Sequence, residues 1–135
     1  MSTFKQVKLE QKSLLHQQQV ILELQDLVRD IERCQKTITD LKGELETVNT
    51  KHKERKSTRE DIDYLTDLLR CANKKLTWEK HMASLQKRTP VILDKMSQLI
   101  NDPKTPPDDG MRGQMLSALH GVQSAMEGLQ NVKVD

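Results

Sequence analysis

Aromatic residues are scarce in this chain of 135 residues, which contains one Phe, one Tyr and one Trp. A compact globule of this length normally holds several, because each aromatic side chain buries roughly 150–250 Å² and anchors a core. Glycine and proline are also few, with five and four residues, and the apolar residues are mainly Leu, Ile, Val and Met. This composition argues against a sheet fold and an enclosed active site. It predicts an all-α chain of no more than one domain.

The two cysteines, Cys34 and Cys71, are too few and too far apart to suggest a disulfide scaffold, and they fit a reducing compartment better. The N-terminal residues are polar and show no signal sequence. No apolar run approaches the roughly 18 residues that a membrane span requires. We therefore expect an intracellular protein of the cytoplasm or cytoskeleton, without a membrane span.

A heptad pattern runs along the first part of the chain, which has no proline and a single glycine between Phe4 and His52. Steps of three and four place the following residues on one stripe of a helix: Leu24, Leu27, Ile31, Cys34, Ile38, Leu41, Leu45 and Val48. Another set recurs every seven residues: Val7, Leu14, Ile21 and Val28. The two frames disagree, so we expect local overwinding where they meet. Residues 1–56 are predicted to form one long heptad helix.

A capping-box spacing follows in Ser57-Thr58-Arg59-Glu60, where Ser57 would cap a helix and Glu60 would reach back to its amide. It predicts a break between His52 and Ser57; one uninterrupted rod is the alternative. Residues 57–100 are predicted to form a second coiled-coil helix with two successive apolar frames: Ile62, Leu65, Leu69, Ala72 and Leu76, then Trp78, Met82, Leu85, Thr89, Ile92, Met96 and Leu99. Thr89 as a cap before Pro90 predicts a kink or short turn at residues 89–90.

Three of the four prolines lie in residues 101–110, which we interpret as a linker. Asp108 or Asp109 is placed to cap a C-terminal amphipathic helix within residues 111–135. One stripe of that helix is apolar: Met115, Leu119, Val122, Met126 and Leu129. A second stripe holds small residues that would let another helix approach closely: Ala118, Gly121, Ala125 and Gly128. A weakly helical tail is the alternative, because glycine lowers helix propensity.

Motifs for catalysis or cofactor binding are missing from the sequence. It has no Gly-rich phosphate loop, no pair of histidines at metal-binding spacing and no Cys-x-x-Cys. The four histidines lie far apart, and Cys34 occupies a core position of the heptad, where it behaves as a small hydrophobe. We therefore predict no catalytic, cofactor-binding or metal-binding residue, and a protein that is not an enzyme.

The heptad stripes suggest binding to other chains. A helix of about 50 residues is roughly 75 Å long, and shorter helices would leave part of its stripe uncovered. The predicted seam for a partner helix is Leu24, Leu27, Ile31, Cys34, Ile38, Leu41, Leu45, Val48, Ile62, Leu65, Leu69 and Leu76. A self-contained antiparallel bundle is the alternative. Polar residues in core frames, namely Gln17, His52 and Thr89, favour a specific register between different chains over a symmetric dimer.

Positive charge is concentrated in residues 51–100, which carry 12 of the 22 basic residues and 7 of the 20 acidic ones. Its densest part is a candidate surface for an acidic polymer such as a microtubule or a nucleic acid: Lys51, Lys53, Arg55, Lys56 and Arg59. A nucleic-acid partner is disfavoured, because base-stacking aromatics are missing. The alternative is a solvated bend whose charges neutralise acidic helices of a partner.

Residues 24–99 resemble the small coiled-coil subunits of augmin. The resemblance comprises the heptad from Leu24 onwards followed by Tyr64-Leu65-Thr66-Asp67-Leu68-Leu69, Asn73-Lys74-Lys75-Leu76, Glu79-Lys80 and Leu85-Gln86-Lys87-Arg88-Thr89-Pro90. It implies membership of a multi-subunit complex that binds spindle microtubules and recruits γ-tubulin ring complexes, so that new microtubules branch from old ones. The implied partners are other coiled-coil subunits and, indirectly, microtubules or γ-tubulin complexes. It implies no individual site residue.

The sequence thus predicts a structural subunit of a heteromeric coiled-coil complex, with mitotic spindle assembly as the implied process. Alternatives are a kinetochore subunit, a coiled coil that tethers vesicles or organelles, and a polymer-binding module that uses the basic run.

Overall fold

A computed structural model describes residues 3–103 and 106–134; residues 1, 2, 104, 105 and 135, which include part of the predicted linker, lie outside it. Within these residues the chain forms three α-helices and no strand: α1 is Phe4–Lys51, α2 is Thr58–Ile100 and α3 is Asp109–Gln130. The all-α prediction is therefore confirmed. Helices α1 and α2 form an antiparallel hairpin, and α3 packs against both.

The stripe predicted on α1 forms the core of the hairpin. All of its residues from Leu24 to Val48 are buried except Leu45, which is half-buried against the same core. The chain's own helices cover this stripe, so the expectation that it meets a partner chain is wrong for α1. The length argument fails because α2, with 43 residues, nearly matches the 48 residues of α1. Matched lengths are typical of a self-contained bundle.

The buried face of α2 follows a single frame along the whole helix. Its residues are buried or half-buried, and the spacing between them alternates between four and three: Tyr64, Leu68, Cys71, Lys75, Trp78, Met82, Leu85, Thr89, Ile92, Met96 and Leu99. The predicted change of frame before Trp78 is therefore wrong. The residues of the other frame lie on a different face and are exposed: Ile62, Leu65, Leu69 and Leu76. A frame shifted by one residue is rotated by about 100° around the helix. Side chains in that frame therefore lie outside the contact between α1 and α2.

The two frames on α1 lie on adjacent faces, and the second is covered only at Ile21 and Val28, since Val7 and Leu14 are exposed. Leu24 and its heptad companions face α2, whereas Ile21 and Val28 are half-buried and line a concavity together with Met115 and Ala118 of α3. Two adjacent stripes on one regular helix explain both patterns. The expected overwinding is therefore not needed to reconcile them.

A short turn separates α1 from α2 where the capping pattern predicts it. His52 is the C-cap of α1, and the Ser57 hydroxyl accepts a hydrogen bond from the Glu60 amide at 3.2 Å. In a capping box the Glu60 carboxylate would accept from the amide of Ser57. Here it accepts from the amide of the preceding residue, Lys56, at 3.0 Å. Both contacts satisfy amide groups at the start of α2.

Helix α2 runs without interruption through Pro90, so the predicted short turn at residues 89–90 is wrong, whereas the alternative kink stays a prediction. Thr89 is buried inside the helix and donates its hydroxyl to the Leu85 carbonyl at 2.6 Å, which excludes an N-cap role. Pro90 removes one helical hydrogen bond, which the Gln86 carbonyl would have accepted. Both Pro90 and Gln86 lie on the exposed face, where water can hydrate that carbonyl.

Helix α3 begins two residues earlier than predicted, with the Asp108 carboxylate accepting from the Met111 amide at 2.7 Å. Its apolar stripe is buried, apart from the half-buried Leu119. The small-residue stripe packs only in part within this chain: Ala118 and Ala125 are half-buried against the core, whereas Gly121 and Gly128 are exposed and have no atom beyond their own helix backbone within 4 Å of their Cβ positions. After the helix, the tail returns to α2, where the Lys75 ammonium donates to the Val134 carbonyl at 3.1 Å.

Candidate interaction surfaces

Several ion pairs join α1 to α2, and three of them lie beside the seam at heptad spacing. The acid is on α1 and the base on α2 in each of these three: Glu23–Lys95 at 3.1 Å, Asp30–Arg88 at 2.7 Å and Glu44–Lys74 at 2.8 Å. Successive pairs are one heptad and then two heptads apart on both helices. Charges that flank a heptad seam set the orientation and register of its helices. Sequence reasoning missed these pairs, although opposite charges at matching heptad steps would have revealed them.

An open groove lies along the hairpin between the pairs Asp30–Arg88 and Glu44–Lys74. Its volume is about 890 Å³, and its apolar lining includes Leu41, Trp78 and Leu85. The Trp78 indole donates to the Cys34 carbonyl at 3.0 Å, which fixes the ring. Burial, and secondarily the charge of Asp30, raises the pKa of the Cys34 thiol. The thiol is therefore protonated at neutral pH and is a poor nucleophile.

A compact polar cluster closes the hairpin at the turn. The buried His52 donates from Nε2 to Asp67 at 2.7 Å, and its ring meets the Tyr64 ring edge-on at 5.4 Å between centroids. The Tyr64 hydroxyl donates to Asn49 at 2.7 Å. The hydrogen bond from His52 lowers the pKa of Asp67, and the charges of Arg70 and Lys51 lower it further against the opposing effect of desolvation. These contacts join α1 to α2 directly.

The predicted basic run divides into two groups at this turn. Arg55 stacks 4.2 Å from the Tyr64 ring centroid, donates to the His52 carbonyl and pairs with Asp61 at 3.0 Å. Lys51 lies 3.8 Å from Asp67. These two cations therefore stabilise the fold.

The other three cations of the run are Lys53, Lys56 and Arg59. All three side chains are exposed, and none forms an ion pair within 4.0 Å in the described part of the chain. They remain available to a ligand outside this chain.

The predicted seam residues of α2 form a separate exposed surface, which we call the outer stripe: Ile62, Leu65, Leu69 and Leu76. Their exposed fractions are 56%, 63%, 63% and 56%. With the small, exposed Ala72 they keep steps of three and four along 15 residues. The predicted seam therefore consists of two different surfaces in the structure. Its residues on α1 are buried within the chain, and its residues on α2 face solvent.

A second exposed apolar region lies at the opposite end of the hairpin. Val20 is the first fully buried residue of α1, and the preceding turns carry exposed apolar side chains: Phe4, Val7, Leu9, Leu14 and Leu15. The outer stripe, in contrast, begins one turn into α2, next to the interhelical turn. The two regions are therefore distinct surfaces.

Comparisons with known proteins add no relative: no family model, no curated protein and no solved structure matches this chain. Among the described residues, no three His, Cys, Asp or Glu side chains come together as a metal site would require. In the same part of the chain, no helix is long and apolar enough to cross a membrane.

Proposed function

We propose that this protein is a structural subunit of a heteromeric coiled-coil complex, and that it binds a helix of another chain through the outer stripe. The observation that carries the proposal is the regular spacing of four apolar side chains that remain more than half exposed after the hairpin has formed. Single exposed apolar residues are common, but an aligned row at heptad steps is typical of a helix-binding seam.

The energetics favour a specific contact at this surface. Full burial of a Leu or Ile side chain contributes about 1.5–3 kcal/mol. Binding also costs translational and rotational freedom. Four such residues therefore offset this cost only if the partner helix fits the stripe closely. The hairpin provides a rigid support, because the adjacent face of α2 is buried against α1.

The cellular process is proposed from the resemblance to small augmin subunits. A rigid hairpin with one free heptad stripe is compatible with a scaffold that holds other coiled-coil subunits in register. On this proposal the complex acts on spindle microtubules and recruits γ-tubulin. A kinetochore or membrane-tethering complex would use the same stripe with different partners.

Affinity purification from dividing cells, with mass spectrometry of the recovered proteins, tests the proposal. Replacement of both Leu65 and Leu69 by Glu should remove the co-purifying subunits while the hairpin remains folded. Val91→Glu is the matched control, since Val91 is 55% exposed on the same helix but lies 15 residues beyond the stripe. Recovery of the same partners with the double variant would refute the proposal.

A second candidate function is binding to an acidic polymer, and the three unpaired cations at the turn favour it. Lys53→Glu with Lys56→Glu should then weaken microtubule pelleting, and the loss should be greatest at low salt. Lys51 and Arg55 are unsuitable for this test because their reversal would disturb the turn. Unchanged pelleting, with intact assembly of the complex, would eliminate this function.

A further inference from the structure

The cations at the two ends of the outer stripe identify the chemistry of its partner. We propose that the stripe binds a helix of a different chain that carries carboxylates beside its own apolar heptad, facing Arg59 and Lys80. This inference rests on the proposed function and names the class of partner for the same surface.

Arg59 and Lys80 lie on one edge of the stripe. Arg59 precedes Ile62 by three residues and Lys80 follows Leu76 by four, so each cation is a direct neighbour of the apolar residue at its end. They are three heptads apart, which corresponds to about 32 Å along the helix. Both are exposed, and neither forms an ion pair in the part of the chain that the structure describes.

The edge between these two cations holds no carboxylate. At the intervening heptad steps it carries Thr66 and Asn73. The Thr66 hydroxyl donates to the Ile62 carbonyl of its own helix at 2.8 Å. This edge therefore presents two free positive charges and no carboxylate, while Glu79, which follows Leu76 by three residues, lies 4.0 Å from the Lys75 ammonium.

The charges on the opposite edge are already satisfied within the chain. Asp61 pairs with Arg55, and the Lys75 ammonium bonds to the Val134 carbonyl and lies 4.0 Å from Glu79. The hairpin seam follows the same rule, since its cations face acids of α1. The outer stripe thus has the same arrangement as the α2 side of the hairpin seam, with cations beside apolar residues. It lacks the acidic helix that α1 supplies in the hairpin.

A second copy of this chain fits the surface poorly. Two outer stripes packed antiparallel would bring Arg59 of one copy towards Lys80 of the other, and like charges at these positions are destabilising. The exposed start of α1 is also basic, with Lys5, Lys8 and Lys12 against Glu10. A helix with acidic flanks lacks this repulsion.

Two labelled helical peptides test the inference on the full-length chain. Each has about 28 residues, or four heptads, with the same Leu stripe. One carries Glu at the flanking positions and the other carries Lys. Fluorescence anisotropy at low salt should show roughly tenfold tighter binding of the acidic peptide, and the preference should shrink at high salt.

Charge reversal of the chain provides the decisive comparison. Arg59→Glu with Lys80→Glu should invert the preference, so that the basic peptide binds more tightly. Lys12→Glu with Lys36→Glu on α1 changes the net charge equally, away from the stripe, and should leave the preference unchanged.

The possible failures are distinguishable. Equal binding of the two peptides, tighter binding of the basic one, or no binding of the acidic one overturns the inferred partner chemistry. Self-association of the wild-type chain in sedimentation equilibrium, if Leu65→Glu with Leu69→Glu abolishes it, also overturns it in favour of a second copy. If the same double variant leaves the native partners bound in cells, the proposed function itself fails.

Discussion

His52 donates a hydrogen bond to Asp67 across the interhelical turn, over 2.7 Å and with both side chains largely buried. His52 ends α1 and Asp67 lies in the third turn of α2, so this contact ties together the two helices of the hairpin. It also gives the fold a pH dependence, because the pKa of Asp67 is lower in the folded chain than its ordinary value.

A group with a lowered pKa stabilises the fold above its unfolded pKa, about 3.9 for Asp, and loses this contribution as pH falls through the folded value. Asp67→Asn should therefore lower the melting temperature at pH 6, and its difference from the wild type should shrink below about pH 4. Melting curves from circular dichroism at several pH values measure this. A difference that stays constant down to pH 2 would show that Asp67 does not act through its charge.

Truncation should destabilise the fold strongly at a core leucine and hardly at all at an outer-stripe leucine. Leu27 is fully buried, so Leu27→Ala should cost about 2–5 kcal/mol in the free energy of unfolding of the isolated chain. Leu69→Ala, at 63% exposure, should change it by less than about 0.5 kcal/mol. Urea unfolding of both variants measures the contrast. Equal losses would mean that the outer stripe is buried in the isolated chain.

Pro90→Ala should stabilise the chain, by about 1–2 kcal/mol. The substitution restores a helical hydrogen bond inside α2 and removes a residue that disfavours a helix interior by about 3 kcal/mol, an effect partly offset by greater freedom of the unfolded chain. If Pro90 instead began a separate helix after a Thr89 cap, the substitution would be neutral or destabilising. Thermal unfolding distinguishes these two results.

The ion pair between Glu23 and Lys95 should behave as a partly exposed contact. Glu23→Lys or Lys95→Glu alone should cost about 0.2–1 kcal/mol, and the double swap should recover most of the loss. A double-mutant cycle from urea unfolding gives the coupling energy. Zero coupling would indicate that the apolar seam alone sets the register.

The helices were predictable from the sequence because each heptad stripe, the Ser57 cap and the Asp108 cap are local signals. The sequence did not predict which stripe packs against another helix of the chain and which stripe faces solvent. Ile62 and Leu65 have the same spacing as true seam residues, and only the position of α1 determines which face of α2 is buried. Within the basic run, Arg55 differs from Lys56 through its contacts with Tyr64, the His52 carbonyl and Asp61, which require the folded turn. Pro90 does not begin a separate helix, because tertiary packing overrides the local preference of proline.

Site-specific photocrosslinking in dividing cells tests the central claim, that the outer stripe is the surface on which another chain binds. A photoreactive residue is placed at Leu69 or, as the control, at Val91, because both positions are exposed on α2. We predict that position 69 gives adducts with a different protein that contains a coiled-coil helix, and that position 91 gives no such adduct. Adducts at both positions alike, or none at position 69, would contradict the claim.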